Sequence, residues 1–161
     1  MPQRAAHRVA RRGQLPRRSN RTREGTAPVT DFSTWYDALD KPSWTPPPSV
    51  IGTIWTIVYP LIAIATVASV YKVVRGELPR IILVPLVINL AANVAFTPIQ
   101  FGLRNLPLAT ADIAIILVTI VWWMVLLWKP GSTWIALVLS PYLIWVSIAS
   151  VLQVSITLAN R

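Results

Sequence analysis

Hydrophobic residues crowd four stretches of this chain, at about 50–74, 81–103, 108–128 and 134–158. No charged residue lies between Lys41 and Lys72, between Arg80 and Arg104, or between Lys129 and Arg161, and Asp112 is alone between Arg104 and Lys129. At ~1.5 Å per helical residue, each stretch reaches across a hydrocarbon core of roughly 30 Å. The pattern predicts four membrane-spanning helices. The connectors at 75–80, 104–107 and 129–133 are short and carry Gly, Pro or Asn, which stop helices. Short connectors predict that sequential spans are antiparallel neighbours. The expected fold is an all-α multi-pass membrane protein, a four-helix transmembrane bundle at 49–161, without internal repeats.

Composition agrees with the pattern. Of 161 residues 54% are hydrophobic and only 13% charged, with a mean hydropathy of +0.54. A soluble domain of this size cannot bury so many uncharged apolar runs, so a soluble globular enzyme is excluded. Cysteine is absent, which excludes disulfides, thiolate metal sites and cysteine nucleophiles.

The charge is unevenly placed. Residues 1–30 hold eight Arg and one Glu, a net +7, while 31–161 hold a net +2. The first thirty residues lack aromatics and apolar periodicity, so they are expected to form a basic disordered tail. No apolar segment follows the basic start, so it does not read as a secretory signal. Its Arg-rich composition also fits an organellar transit peptide. A basic tail beside anionic lipid is preferred to a specific nucleic-acid partner. Residues 31–48 form an aromatic and proline-rich loop in which Pro42, Pro46, Pro47 and Pro48 resist regular structure. Trp35, Tyr36 and Trp44 suit the headgroup level. With four spans, residues 1–48, Arg104 and Arg161 share one face of the bilayer, opposite Lys72, Arg75, Arg80 and Lys129. The excess of Lys and Arg places both termini in the cytoplasm, in a prokaryotic cell membrane or, alternatively, an organellar one.

Polar residues within spans need a reason. Asn89, Asn93, Phe96 and Gln100 recur at helical spacing on one face of the second span, which must face the bundle or a ligand. Interhelical hydrogen bonding explains Asn89 and Gln100 as well as a ligand does; Asn93, at mid-span, points more to function. Pro141, Trp145, Ala149 and Gln153 share a face of the fourth span, with Trp145 too deep for an interfacial ring. Trp55 and Tyr59 form an i, i+4 pair that also suits an interfacial belt. Trp122, Trp123 and Trp128 are expected on the opposite belt. Asp112, early on the third helix, is favoured there by the helix dipole. The one histidine, His7, lies in the tail, and no metal-ligand cluster, phosphate-cradling loop or paired intramembrane carboxylates appear. Hydrolysis, metal catalysis and ion conduction are therefore not expected. An amide- and aromatic-lined cavity in an apolar bundle suits a large, flat, mostly apolar ligand.

The sequence WYDALDKPSWTPP at 35–47 resembles the W-Y-x-x-L-x-K-P-x-W-x-P-P motif of the translocator protein family. This family is also called the peripheral benzodiazepine receptor or tryptophan-rich sensory protein family (TspO/MBR). Trp55 and Tyr59 fit its W-x-x-x-Y, and NVAFTPIQFGLR at 93–104 fits N-x-x-W-x-P-I-F-F-G-x-R. Asp112 fits its A-x-x-D, and PYLIW at 141–145 with Ala149, Leu152 and Asn160 fits its last motif. The resemblance covers about residues 35–160. It implies a five-helix fold, often a homodimer, that binds porphyrins such as protoporphyrin IX and haem, and isoquinoline- or benzodiazepine-type drugs. It implies a pocket of Trp35 and Tyr36 from the loop with Trp55, Asn93, Phe96, Trp145 and Ala149 from the helices. The expected function is a membrane-embedded porphyrin-binding sensor, regulator or carrier that requires no cofactor. The alternatives are a light-dependent porphyrin-degrading enzyme and a structural four-helix protein with a decayed pocket. A homodimer would use the Ala91/Ala95 face of the second span, where small residues let helices approach.

The chain departs from the family pattern in several places. The family has Gln where Asn89 stands, Trp at Phe96, Phe at Gln100 and Asn at Gln153. The family's C-terminal cholesterol motif requires a Tyr that is missing here, and sterol transport is not expected. The bundle resembles helices 2–5 of the fold, with the basic tail in place of a first helix. That tail also suits a mis-set start or an out-of-frame reading.

Overall fold

The computed structural model describes residues 35–161. The expectations for the basic tail at 1–30 lie outside the described residues. Among the described residues, four helices are long and apolar enough to cross a membrane, with 27, 23, 22 and 20 residues.

The first, α1 (Pro48–Val74), opens on Pro47 and Pro48, whose fixed φ suits a first helical turn. It ends where Gly76 turns to φ +73. Glu77 N–H then donates to Lys72 O at 2.9 Å and Gly76 N–H to Val73 O at 3.0 Å, closing the last carbonyls in a Schellman motif.

The second crossing is composite. A 3₁₀ turn at Arg80–Ile82 leads into α2 (Leu83–Thr97), which continues as a π-helical turn at Pro98–Gly102. Pro98 has no N–H to give to the carbonyl four residues back, and the ladder resumes with a wider bond, Leu103 N–H to Pro98 O at 2.8 Å.

After a left-handed Arg104, α3 (Leu106–Leu127) begins at Asn105, whose Oδ1 accepts the N–H of Leu108 at 2.9 Å. The fourth crossing was expected as one helix at 134–158. It is instead divided into α4 (Thr133–Val138) and α5 (Ser140–Ala159) at Leu139. Pro141 lacks the N–H that would continue the ladder across the break, and Leu139 N–H is shared between Ile135 O and Ala136 O.

The helices form an arc in the order α1, α4/α5, α3, α2, with α3 packed most extensively, against α2 and α5. The expectation that sequential spans are neighbours holds for α2 with α3 and fails for α1 with α2, which barely touch. The reason lies in α1. Its buried positions, Val58, Ile62, Ala65 and Ser69, form one narrow stripe at i, i+4, i+7 and i+11. That stripe can face only one side of the bundle, where α4 and α5 take most of it and Trp123 of α3 reaches Ser69 at its end. A cleft therefore opens between α1 and α2.

A second correction concerns Trp123, expected on an interfacial belt. Trp122 and Trp128 are indeed exposed, but Trp123 is 0% exposed and its Nε1 donates to Ser69 Oγ at 3.2 Å. Adjacent helical side chains point about 100° apart, so two consecutive tryptophans cannot share one surface. Trp123 lies on the inward row of Ile116, Thr119, Ile120 and Leu127.

Candidate functional site

The arc encloses a cavity of about 580 Å³. One end is closed by the loop before α1. There, Trp35–Asp37 make a single helical turn, and the Lys41 ammonium donates to the carbonyls of Tyr36, Asp37 and Leu39 at 2.6, 3.0 and 3.2 Å. Asn160, at the end of α5, brackets the loop. Its Oδ1 accepts Asp40 N–H at 3.0 Å and its Nδ2 donates to Asp40 O at 2.9 Å. Tyr36 packs against Phe101, ring centroids 5.8 Å apart. Burial, and then the neighbouring Asp37 carboxylate, push the Tyr36 phenol above its ordinary pKa, so it stays neutral.

Six of the seven expected pocket residues line this cavity: Tyr36, Trp55, Asn93, Phe96, Trp145 and Ala149. Trp35 does not. It packs with Leu39 against Leu106, Leu152 and Ile156, and its ring lies 5.8 Å from the Arg104 guanidinium carbon. Trp35 thus fastens the loop, and Tyr36 alone of the pair turns toward the cavity. The turn is helical, so successive side chains diverge.

The aromatic wall is built from two helices. Trp55 stacks on Tyr59 at 5.0 Å within α1 and meets Trp145 of α5 edge-on at 6.4 Å. Tyr59, assigned from sequence to an interfacial belt with Trp55, also lines the cavity. Its spacing from Trp55 was the available signal. Trp145 Nε1 is buried without a hydrogen-bond partner.

The opposite wall is polar and already organised. Asn93 Nδ2 donates to Tyr142 Oη at 2.6 Å and to Asn89 O at 2.9 Å. Tyr142 Oη donates to Asn89 Oδ1 at 3.0 Å, and Asn89 Nδ2 donates to Thr119 Oγ1 and Ile116 O, both at 3.0 Å. Asn89 is therefore interhelical glue, the first of its two sequence readings. Tyr142 joins the two amides, and nothing in the hydrophobic pattern singled it out. Nearer the loop, Gln153 Nε2 donates to Gln100 Oε1 at 3.1 Å, joining α5 to the π turn. Both glutamines line the cavity.

Asp112 lies apart from this lining. It is the seventh residue of α3, 7% exposed, and its Oδ2 has no partner. The dipole acts within the first turn, and the first turn of α3 holds no acidic residue. The dipole does not account for Asp112. At the far end of the bundle, Lys72 and Glu77 form an ion pair at 2.6 Å, and the hydrogen bond from Lys72 holds the Glu77 carboxyl below its ordinary range. Among the described residues, no group of three His, Cys, Asp or Glu could hold a metal ion.

The TspO/MBR family model matches residues 21–159. The chain is 38% identical over 131 residues to the tryptophan-rich protein TspO of Bacillus cereus, covering 79% of this chain and 81% of the relative. It is 33% identical to the tryptophan-rich sensory protein of Cereibacter sphaeroides, covering 72% and 70%. It is 32% identical to the translocator protein of Homo sapiens, covering 74% and 70%.

Proposed function

The chain belongs to the TspO/MBR family, and on that premise we propose that its cavity binds porphyrin-type tetrapyrroles such as protoporphyrin IX or haem. In this reading the integral multi-pass membrane protein acts as a sensor, regulator or carrier. The observation that carries the reading is the aromatic wall of Trp55, Tyr59 and Trp145 around a cavity of about 580 Å³ with few polar groups. A flat macrocycle offers two large apolar faces, and stacking on such rings supplies affinity without demanding many hydrogen bonds. Asn93 supplies orientation. Its Nδ2 is committed to Tyr142 and Asn89, and Oδ1 accepts no hydrogen bond among the described residues.

The test is a titration of purified protein in nanodiscs with protoporphyrin IX, read by tryptophan fluorescence. Saturable quenching is expected, because Trp55 and Trp145 border the site. Absence of saturable quenching would favour the structural four-helix reading. A second reading is a membrane enzyme that oxidises bound porphyrin in light. It is supported by the contact of Trp55, Tyr59 and Trp145, a run of oxidisable rings. Illumination of the complex separates the two. A binding protein leaves the porphyrin spectrum unchanged relative to a protein-free control, whereas an enzyme forms product.

A further inference from the structure

We propose that the side-chain amide nitrogen of Gln100 recognises a hydrogen-bond acceptor, a carboxylate or carbonyl, at the loop-side end of the ligand, with Gln153 as its positioning residue. The proposal rests on the tetrapyrrole reading of the cavity and names the group on the ligand that this end selects.

Gln100 is 1% exposed, yet it lines the cavity. A primary amide carries two N–H donors and an acceptor oxygen. The oxygen is occupied, because it accepts Gln153 Nε2 at 3.1 Å. The nitrogen makes no hydrogen bond among the described residues, and it is not one of the buried atoms sealed away from all access. The little of Gln100 that remains accessible therefore includes its Nε2, facing the cavity.

The orientation is held from behind. Gln153 Nε2 also reaches Thr157 Oγ1 at 3.4 Å, and Thr157 is anchored by Thr110 at 2.7 Å. With Gln153 Nε2 set between Gln100 Oε1 and Thr157 Oγ1, turning the Gln100 amide alone would bring two N–H donors face to face. The π turn at Pro98–Gly102 carries Gln100 and sets its direction. Leaving a buried amide N–H₂ unpaired in an apolar surround is costly, and a ligand acceptor removes that cost.

The position fits a long flat ligand. Asn93 and Gln100 are seven residues apart on one crossing, about 10 Å along the axis. Asn93 offers an acceptor near the middle of the cavity and Gln100 a donor toward the loop. A macrocycle with N–H groups at its centre and acidic side chains at one edge would meet both. Gln100 and Gln153 both depart from the family pattern quoted above.

The experiment compares three porphyrins on the full chain in nanodiscs: protoporphyrin IX, its dimethyl ester, and etioporphyrin, which has alkyl groups only. Wild type is expected to prefer both the acid and the ester over etioporphyrin by about fivefold, the weight of one hydrogen bond. Gln100→Glu keeps the size and an oxygen for Gln153 but replaces the donor. It should abolish the preference, and the acid should lose more than the ester through charge repulsion. Gln100→Met should level all three affinities. Gln153→Leu should reduce the preference only partly, and adding it to Gln100→Met should change the preference no further. If Gln100→Met fails to fold, Gln100→Glu carries the comparison, with helical circular dichroism as the check. Equal binding of all three by wild type would overturn the subsite and leave the cavity reading standing. An equal loss for all three in Gln100→Glu would reduce the pair to interhelical glue. Failure of wild type to bind any of the three would overturn both.

Discussion

Individual side chains divide between those proposed to meet a ligand and those that hold the cavity open. Trp145→Ala removes a wall of the cavity and should weaken protoporphyrin binding most. Asn93→Leu should weaken it less, and it also removes the donor to Tyr142 Oη, a loss of about 1 kcal/mol of stability. Trp122→Ala, on the exposed side of α3, should leave binding unchanged. If Trp122→Ala and Trp145→Ala weaken binding equally while both stay folded, the binding site has been put in the wrong place. Its neighbour behaves differently. Trp123→Ala empties a fully buried site and frees Ser69, and should cost about 3–5 kcal/mol, read as a lowered unfolding temperature in detergent. The pair Trp122 and Trp123 shows how little residue type alone says. Both are tryptophans near one end of a span, and only the helical phase separates lipid from core.

At the level of elements, glycine and proline set the boundaries. Gly52 lies within α1 and Gly76 ends it at φ +73, and a Cβ added to either meets nothing within 4 Å. The same substitution should therefore act in opposite directions. Gly52→Ala should raise stability by up to about 1 kcal/mol, because alanine is the better helix former. Gly76→Ala should lower it by about 1–2 kcal/mol, because a side chain resists the left-handed region. Thermal unfolding of the two variants, side by side, checks the sign. The four crossings were legible from uncharged runs, whereas the Asn105 cap that starts α3 two residues before the expected span was not. Nor were the break at Leu139 and the π turn at Pro98. A proline in an apolar run is tolerated in a bundle, where the freed carbonyls are re-satisfied locally, and its consequence depends on the neighbours.

For the whole molecule, two expectations become proposals with direct tests. Both termini are proposed to be cytoplasmic. Among the described residues Lys41, Arg104 and Arg161 stand against Lys72, Arg75, Arg80 and Lys129, so the asymmetry that sets this orientation comes from the basic first thirty residues. The chain has no native cysteine, so a Gly131→Cys variant gives one clean reporter. It should react with an impermeant thiol reagent on intact cells, and Asp40→Cys should not; the reverse pattern would invert the topology. The second proposal is a homodimer through α2. Ala91 is exposed beside Val87 and Val94, and Ala95 is half-buried, so this face is available to a partner helix. Ala91→Phe should convert a dimer to a monomer in nanodiscs while leaving the helical content intact. A wild type that is monomeric throughout would end this proposal.

The class of the protein follows from the chain's local pattern, because a membrane helix is a local object. Twenty apolar residues satisfy their own backbone hydrogen bonds whatever surrounds them, so the four crossings at Pro48–Val74, Arg80–Gly102, Leu106–Leu127 and Ser140–Ala159 could be read along the chain. Periodicity likewise brought Asn93 with Phe96, and Trp145 with Ala149, to inward faces. Which inward face meets which is settled by packing across the whole bundle. That α1 docks on α4 and α5 rather than α2, that Tyr142 links Asn89 to Asn93, and that Trp35 fastens the loop while Tyr36 lines the cavity are pairings between distant residues. So is the bond from Gln153 that turns the Gln100 amide toward the cavity. Such pairings follow from competition among helix faces of nearly equal hydrophobicity. No single helix carries the information that resolves it, because the outcome depends on how all the crossings pack together.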